Sequence, residues 1–263
     1  MSEGILTRTR GAIFEIILNR PDKRNALSNA LCKEFDQAVM AATRASGIRC
    51  VLIRGEGKGF SAGIDVTSFM ELKDIYGEHW IARGRMITAD IQQIVNRLER
   101  LEIPTIALLH GFCLGMALEL ALACDLRIGT EDVKLGLPET LLGLIPDVGG
   151  TTRLTRLIGP ARAKELIFTG RSVDAATAER YGLLNKVVAS ADLLPAAEAL
   201  AAEISRAAPL AVGMAKRVID GLADNERGFM LEGWAQSQLF GTEDFMGAIK
   251  SFAVKETPTF KGR

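Results

Sequence analysis

Thr105-Ile-Ala-Leu-Leu-His-Gly-Phe-Cys-Leu-Gly-Met-Ala-Leu-Glu-Leu-Ala-Leu-Ala-Cys-Asp-Leu-Arg-Ile128 decides how the chain is built. It reads as a strand over 105–109, a turn at His110-Gly111, a helix from about Gly115 to Ala123, and a further strand over 125–128. The part from Ile106 to Cys124 is long and apolar enough to raise the question of a membrane helix, but His110, the glycines and Glu119 argue against it. An ionisable Glu in such a run is costly wherever it sits, so it is either paired inside a folded core or kept for chemistry. Glu119 follows Met116 by three residues, so the two share a helix face. If the helix start turns free amides toward a ligand oxygen, Glu119 looks into the same pocket one turn deeper.

Upstream the same grammar occurs. Two β-rich runs between residues 4 and 18 are separated by Arg10-Gly11 and read as a hairpin, which Asn19-Arg20-Pro21-Asp22 ends. Helical spacing from Ser28 puts Leu31, Phe35, Val39 and Ala42 on one face, and Gly47 closes that helix. Cys50 to Arg54 is a buried strand running into the glycine-rich loop 55–63. A long amphipathic helix is expected from about 77 to 101, before Pro104. Alternating strands and helices predict parallel pairing and an α/β fold. After Ala161 strands nearly vanish apart from 185–188. The expected division is a core over 1–200 and a helical region over 201–263, whose apolar faces pack on the core or on another subunit.

Composition narrows the function. Among 263 residues, 32 Lys+Arg balance 32 Asp+Glu, which leaves no electrostatic footprint for nucleic acid and no basic block for a membrane surface. Four cysteines without CxxC spacing and a chain long enough to build its own core fit a reducing, cytoplasmic setting without disulfides. The N-terminus lacks a signal-peptide pattern. With only two histidines, far apart, no metal is expected, although carboxylates alone can hold a hard cation.

The loop Gly55-Glu-Gly-Lys-Gly-Phe-Ser-Ala-Gly63 imitates a phosphate cradle. A Walker loop needs Ser or Thr after Lys58, where Gly59 stands, and the dinucleotide fingerprint needs glycine at Phe60. Gly59-Phe60-Ser61-Ala62-Gly63 is also a literal nucleophile elbow. A serine hydrolase at Ser61 would need a late histidine base, and no histidine follows His110. Two further acids stand out. Pro138-Glu139 opens a short helix in which the Glu suits the dipole, and Asp147 before Gly149-Gly150 reads most simply as an N-cap.

Taken together, Asn19-Arg-Pro-Asp-Lys-Arg-Asn-Ala-Leu27, Gly59-Phe-Ser-Ala-Gly-Ile-Asp65, His110 to Leu120, Cys124-Asp-Leu-Arg127, Leu137-Pro-Glu139 and Gly143 to Leu154 resemble, in order and spacing, the enoyl-CoA hydratase/isomerase (crotonase) family. The resemblance reaches the tail, Phe252 to Lys255 and Pro258 to Phe260. It implies a spiral of ββα units with a helical C-terminal region, assembled as a homotrimer or homohexamer. It implies an oxyanion hole formed by the backbone N–H groups of Ile64 and Met116, which would grip an acyl-CoA thioester carbonyl. Met116 stands where many hydratases carry glycine, which bears on pocket shape.

By the same resemblance Glu119 and Glu139 occupy the positions of the two glutamates that hold one water in the hydratases. Asp147 resembles the third acid of the dienoyl-CoA isomerases, which usually have Asp at the place of Glu119. Hydratase therefore ranks first, isomerase second, and a non-catalytic role such as that of RNA-binding relatives third. Substrate and CoA contacts are expected at Lys23, Arg24, Ala26, Ser61, Ala62, Gly63, Asp65, Gly115, Phe252 and Lys255. No cofactor is implied beyond the CoA carried by the substrate.

Overall fold

The computed structural model describes residues 4–207, 209–221, 233–234, 236–237, 239–256 and 258. The hairpin forms as expected: β1 (Ile5–Arg10) pairs antiparallel with β2 (Ile13–Leu18). Helix α1 (Asn29–Arg44) starts where Ser28 Oγ accepts the Leu31 amide, and Leu31, Phe35, Val39 and Ala42 are all buried. Strands β3 (Cys50–Gly55), β4 (Thr105–Leu109), β6 (Leu126–Thr130) and β9 (Lys186–Val188) extend the sheet in parallel from β2, giving the order β1-β2-β3-β4-β6-β9.

The sheet is covered on both faces. Val51, Ile53, Ala107 and Leu109 enter the main core, while Cys50, Leu52, Ile106, Leu108 and Ile128 turn the other way, against Ala197 and Ala201 of α8 (Leu193–Ser205). The period of two that separates these sets is that of a strand, and burying each Leu or Ile contributes about 1.5–3 kcal/mol. All four cysteines are free and buried.

A second, three-stranded sheet, β5 (Phe112–Leu114), β7 (Lys134–Gly136) and β8 (Ser172–Asp174), is not evident in the sequence pattern. Its strands are three residues long, too short for alternation to show. The chain therefore visits the large sheet and then the small one: β4 continues into β5 and then α4 (Met116–Leu122), and β6 into β7. This is the repeated strand–strand–helix spiral.

The helix expected over 77–101 starts later, at Gly84, and a separate helix precedes it. Helix α2 (Ser68–Tyr76) ends at Gly77, whose φ of 85° is open to glycine, and a 3-10 turn over Trp80–Arg83 leads into α3 (Gly84–Glu99). Beyond β7 come a 3-10 turn (Glu139–Leu142), α5 (Gly150–Ile158), α6 (Pro160–Thr169) and α7 (Ala175–Tyr181), then α8, α9 (Pro209–Gly221) and α10 (Glu243–Ala253). Phe245 of α10 packs with Phe69 of α2, Phe240 and Leu144, which joins the tail to the core near the loop after β7. Among the described residues no helix is long and apolar enough to cross a membrane.

Candidate active site

A cavity of about 310 Å³ opens where the loop after β3, the start of α4, the 139–142 turn and the turn before α5 meet, with α2, α3 and Phe252 of α10 as its walls. Glu119, Glu139 and Asp147 all line it. Around them the wall is mostly apolar, including Ile64, Leu72, Ile87, Leu144 and Phe240.

The glycine-rich loop is not a phosphate cradle. Its amides face inward: Phe60 donates to His110 O, Ser61 to Phe112 O, Ala62 to Arg24 O and Gly63 to Ser61 Oγ. Among the described residues, the Ile64 amide donates to no backbone carbonyl, nor does that of Met116, the first residue of α4. A helix's first amides lack intrahelical acceptors, so the second is expected. Gly63 brings the two segments together. Its φ is 91°, and a Cβ there would lie 2.5 Å from Leu114 O and 3.4 Å from Met116 N.

Asn25 holds this loop from outside. Its Nδ2 donates to the carbonyls of Glu56, Gly59 and Phe60, while its own backbone adopts a left-handed φ of 53°. Asn tolerates that region better than most residues. The sequence reading missed this clamp, because its partners lie more than thirty positions away.

Glu119 is buried in α4, and its Oε1 accepts the amides of Val148 and Gly150, each at 2.8 Å. It thereby caps α5. Asp147, expected to be that cap, is not: α5 has Gly149 at its N-cap and no side-chain cap bond. The first α5 amide already faces Glu119, and Asp147 Oδ2 instead accepts the Thr88 hydroxyl at 2.8 Å. Pro138, expected as the first residue of the short helix, sits one place earlier, at its N-cap.

Glu139 lies against the start of α4, where a Cβ on Gly115 would stand 3.0 Å from its Oε1. Its Oε2 is buried with no hydrogen-bond partner among the described residues. Burial, and then the negative charge of Asp147, push its carboxyl up to about 8, against an opposing bond from its own backbone amide. A carboxyl raised this far keeps its proton at pH 7, and the residue lines the cavity.

The other expected contacts divide into two sets. Arg24, Ala62, Gly115 and Phe252 line the cavity; Lys23, Ala26, Ser61, Gly63, Asp65 and Lys255 are not in its wall. The Ser61 hydroxyl is buried, donating to Asn25 O at 2.8 Å and accepting from the Gly63 amide, so it supports the loop and is no nucleophile. Asp65 binds Thr67 and pairs with Arg20, and the Ala26 carbonyl accepts from Arg20. Lys23 and Lys255 are exposed, and Lys255 has a left-handed φ of 59°. Residues the sequence did not single out are Thr88 and Gln92, buried on α3, whose only signal was polarity within an amphipathic helix. Among the described residues no group of three or more His, Cys, Asp or Glu is placed to hold a metal ion.

Comparison with known proteins gives the family. Residues 8–263 match the family model described as enoyl-CoA hydratase/isomerase. A protein of Mus musculus named enoyl-CoA hydratase domain-containing protein 2, mitochondrial, is 39% identical, covering 98% of this chain and 87% of its own. The short-chain-enoyl-CoA hydratase of Clostridium acetobutylicum is 36% identical over 98% of both chains. A crystal structure described as carnitinyl-CoA hydratase from Mycobacterium avium superposes with a TM-score of 0.86, at 31% identity and full coverage of both. The chain belongs to the enoyl-CoA hydratase/isomerase family.

Proposed function

We propose that the chain is an enoyl-CoA hydratase, which adds water across the double bond of a trans-2-enoyl-CoA to give a 3-hydroxyacyl-CoA. The observation that carries this reading is the convergence of Glu119 and Glu139 on one cavity that the Ile64 and Met116 segments also line. The thioester oxygen accepts from the Ile64 and Met116 amides, and these donors strengthen as the enolate develops, each typically worth about 3 kcal/mol in the transition state. Water lies over Cβ between the two glutamates. Its oxygen bonds to Cβ as Glu119 takes one of its protons, and Glu139 delivers a proton to Cα. Both carboxyls then return to their starting states by exchange with solvent. The reading calls for no cofactor beyond the CoA of the substrate. A panel of acyl-CoA thioesters tests it: hydration removes the conjugated-enoyl absorbance and adds the mass of water, whereas isomerisation leaves the mass unchanged.

A donor that is neutral at pH 7 gives a pH signature. Glu139 carries its proton below about 8 and loses it above, so kcat/KM for hydration is expected to fall as pH rises through about 8. A profile flat to pH 9.5 would exclude Glu139 as the donor.

The isomerase is the second reading, favoured by Asp147, a third acid on the same cavity. An isomerase moves a proton between carbons and needs an acid near the distal one; a hydratase needs its acids around one water. Under the first reading Asp147→Asn keeps hydration within about tenfold, because Asn can still accept the Thr88 hydroxyl. If, in deuterated water, wild type shifts 3-enoyl-CoA or 3,5-dienoyl-CoA double bonds much faster than it hydrates crotonyl-CoA, and Asp147→Asn abolishes that shift alone, the isomerase takes first place.

Two further parts of the proposal concern surfaces. Lys255, Lys23 and Arg24 meet the CoA phosphates; what supports this is that Arg24 and Phe252, beside Lys23 and three residues before Lys255, line the cavity. The helical region over 201–263 serves assembly into a trimer or a dimer of trimers. Leu210, Met214 and Val218 support this, being spaced on one side of α9 and exposed by 80%, 63% and 64%. Light scattering at micromolar concentration is expected to give a multiple of 28.4 kDa, and a stable monomer would refute the assembly.

A further inference from the structure

Gln92 and Glu119 stand on different helices, and one peptide group lies between them. Gln92 Nε2 donates to the Asp147 carbonyl oxygen at 2.6 Å. The N–H of that same peptide belongs to Val148 and donates to Glu119 Oε1 at 2.8 Å. A peptide group is planar, so fixing its carbonyl also fixes the direction of its N–H. We propose that Gln92 is a positioning residue for Glu119, acting through the Asp147–Val148 peptide plane. The inference rests on the hydratase reading, in which Glu119 takes the proton from water.

The surroundings support a built device. Gln92 is buried, and one turn earlier on α3 the buried Thr88 holds the Asp147 carboxylate. Further along α3, Asn96 and Glu99 hold the Arg153 guanidinium, whose Nη1 donates to the Val148 carbonyl at 3.0 Å. Two successive carbonyls of the turn are thus fixed, one by α3 directly and one by a residue that α3 grips. Beyond Gly149 the Gly150 amide reaches the same Glu119 oxygen. A donor on a carbonyl polarises the peptide and makes its N–H a stronger donor, so removing Gln92 weakens the grip on Glu119 as well as loosening its direction. Catalysis is sensitive to such small misplacements of a reacting group.

The test measures kcat and KM for crotonyl-CoA, with thermal unfolding, in Gln92→Met, which keeps the volume and removes the donor. Gln92→Glu keeps the shape but offers an acceptor when ionised, and it serves if the first variant fails to fold. The expected result is a roughly tenfold lower kcat with KM within about twofold, in a protein that still unfolds cooperatively. On a Glu119→Gln background the same change is expected to add less than about twofold, because the group being positioned no longer takes a proton. A kcat within twofold of wild type, or the same loss on both backgrounds, would overturn the proposal. So would an atomic-resolution structure in which Gln92 Nε2 lies beyond hydrogen-bond distance of the Asp147 carbonyl, a result that needs no variant. A wild type that hydrates no acyl-CoA removes the hydratase reading and this inference with it; a hydrating wild type indifferent to residue 92 removes the inference alone.

Discussion

Glu119→Gln and Glu139→Gln are each expected to lower crotonyl-CoA turnover at least about a hundredfold with little change in CoA binding. The Glu119 change is the more informative of the two. A Gln oxygen still accepts the Val148 and Gly150 amides that Glu119 Oε1 accepts, so α5 keeps its cap and only the capacity to take a proton is lost. At Glu139 the loss is that of an acid held neutral by burial, and an amide of the same shape has no proton to give. Steady-state turnover beside a CoA titration decides the matter: wild-type-like turnover in either variant removes that residue from the mechanism.

A comparable loss is expected from a single methyl group at Gly63. Alanine there would carry a left-handed φ of 91°, and its Cβ would stand 2.5 Å from the Leu114 carbonyl oxygen, a backbone atom that cannot rotate aside. The strain itself costs about 1–2 kcal/mol. Relief requires the loop after β3 to move away from β5 and the start of α4, which separates the Ile64 amide from that of Met116. One such donor displaced typically costs a hundredfold or more in kcat. Gly63→Ala is therefore expected to remain folded by circular dichroism, to unfold at a lower temperature and to lose at least about a hundredfold in kcat. Activity within tenfold of wild type would show that the spacing of these amides does not matter.

What the sequence made legible was local or strongly periodic. Leu31, Phe35, Val39 and Ala42 announced the buried face of the helix that follows Ser28 because their spacing repeats within a few residues. The 105–128 stretch displayed strand, turn and helix for the same reason, and it placed Glu119 beside Met116. What stayed hidden depended on distant partners. Strands β5, β7 and β8 exist because each finds a neighbour across the chain, and three residues alone carry no period. Asp147 carried the local signature of a cap, but Glu119, 31 positions before Gly150, already held that amide. Thr88 and Gln92 differed from solvent-facing polar residues only in what they meet after folding.

The four buried thiols have a chemical consequence. Burial pushes Cys32, Cys50 and Cys124 up to about 12, and Cys113 well above its ordinary value. The thiolate is the species that peroxide oxidises and alkylating agents capture, and at neutral pH these side chains hold almost none of it. Cys50 and Cys113 are fully covered, one within each sheet. Oxidants in the surrounding solution thus find none of these four thiols in reactive form, and sulfenylation of Cys50 or Cys113 follows from opening of its sheet, not from turnover at the cavity.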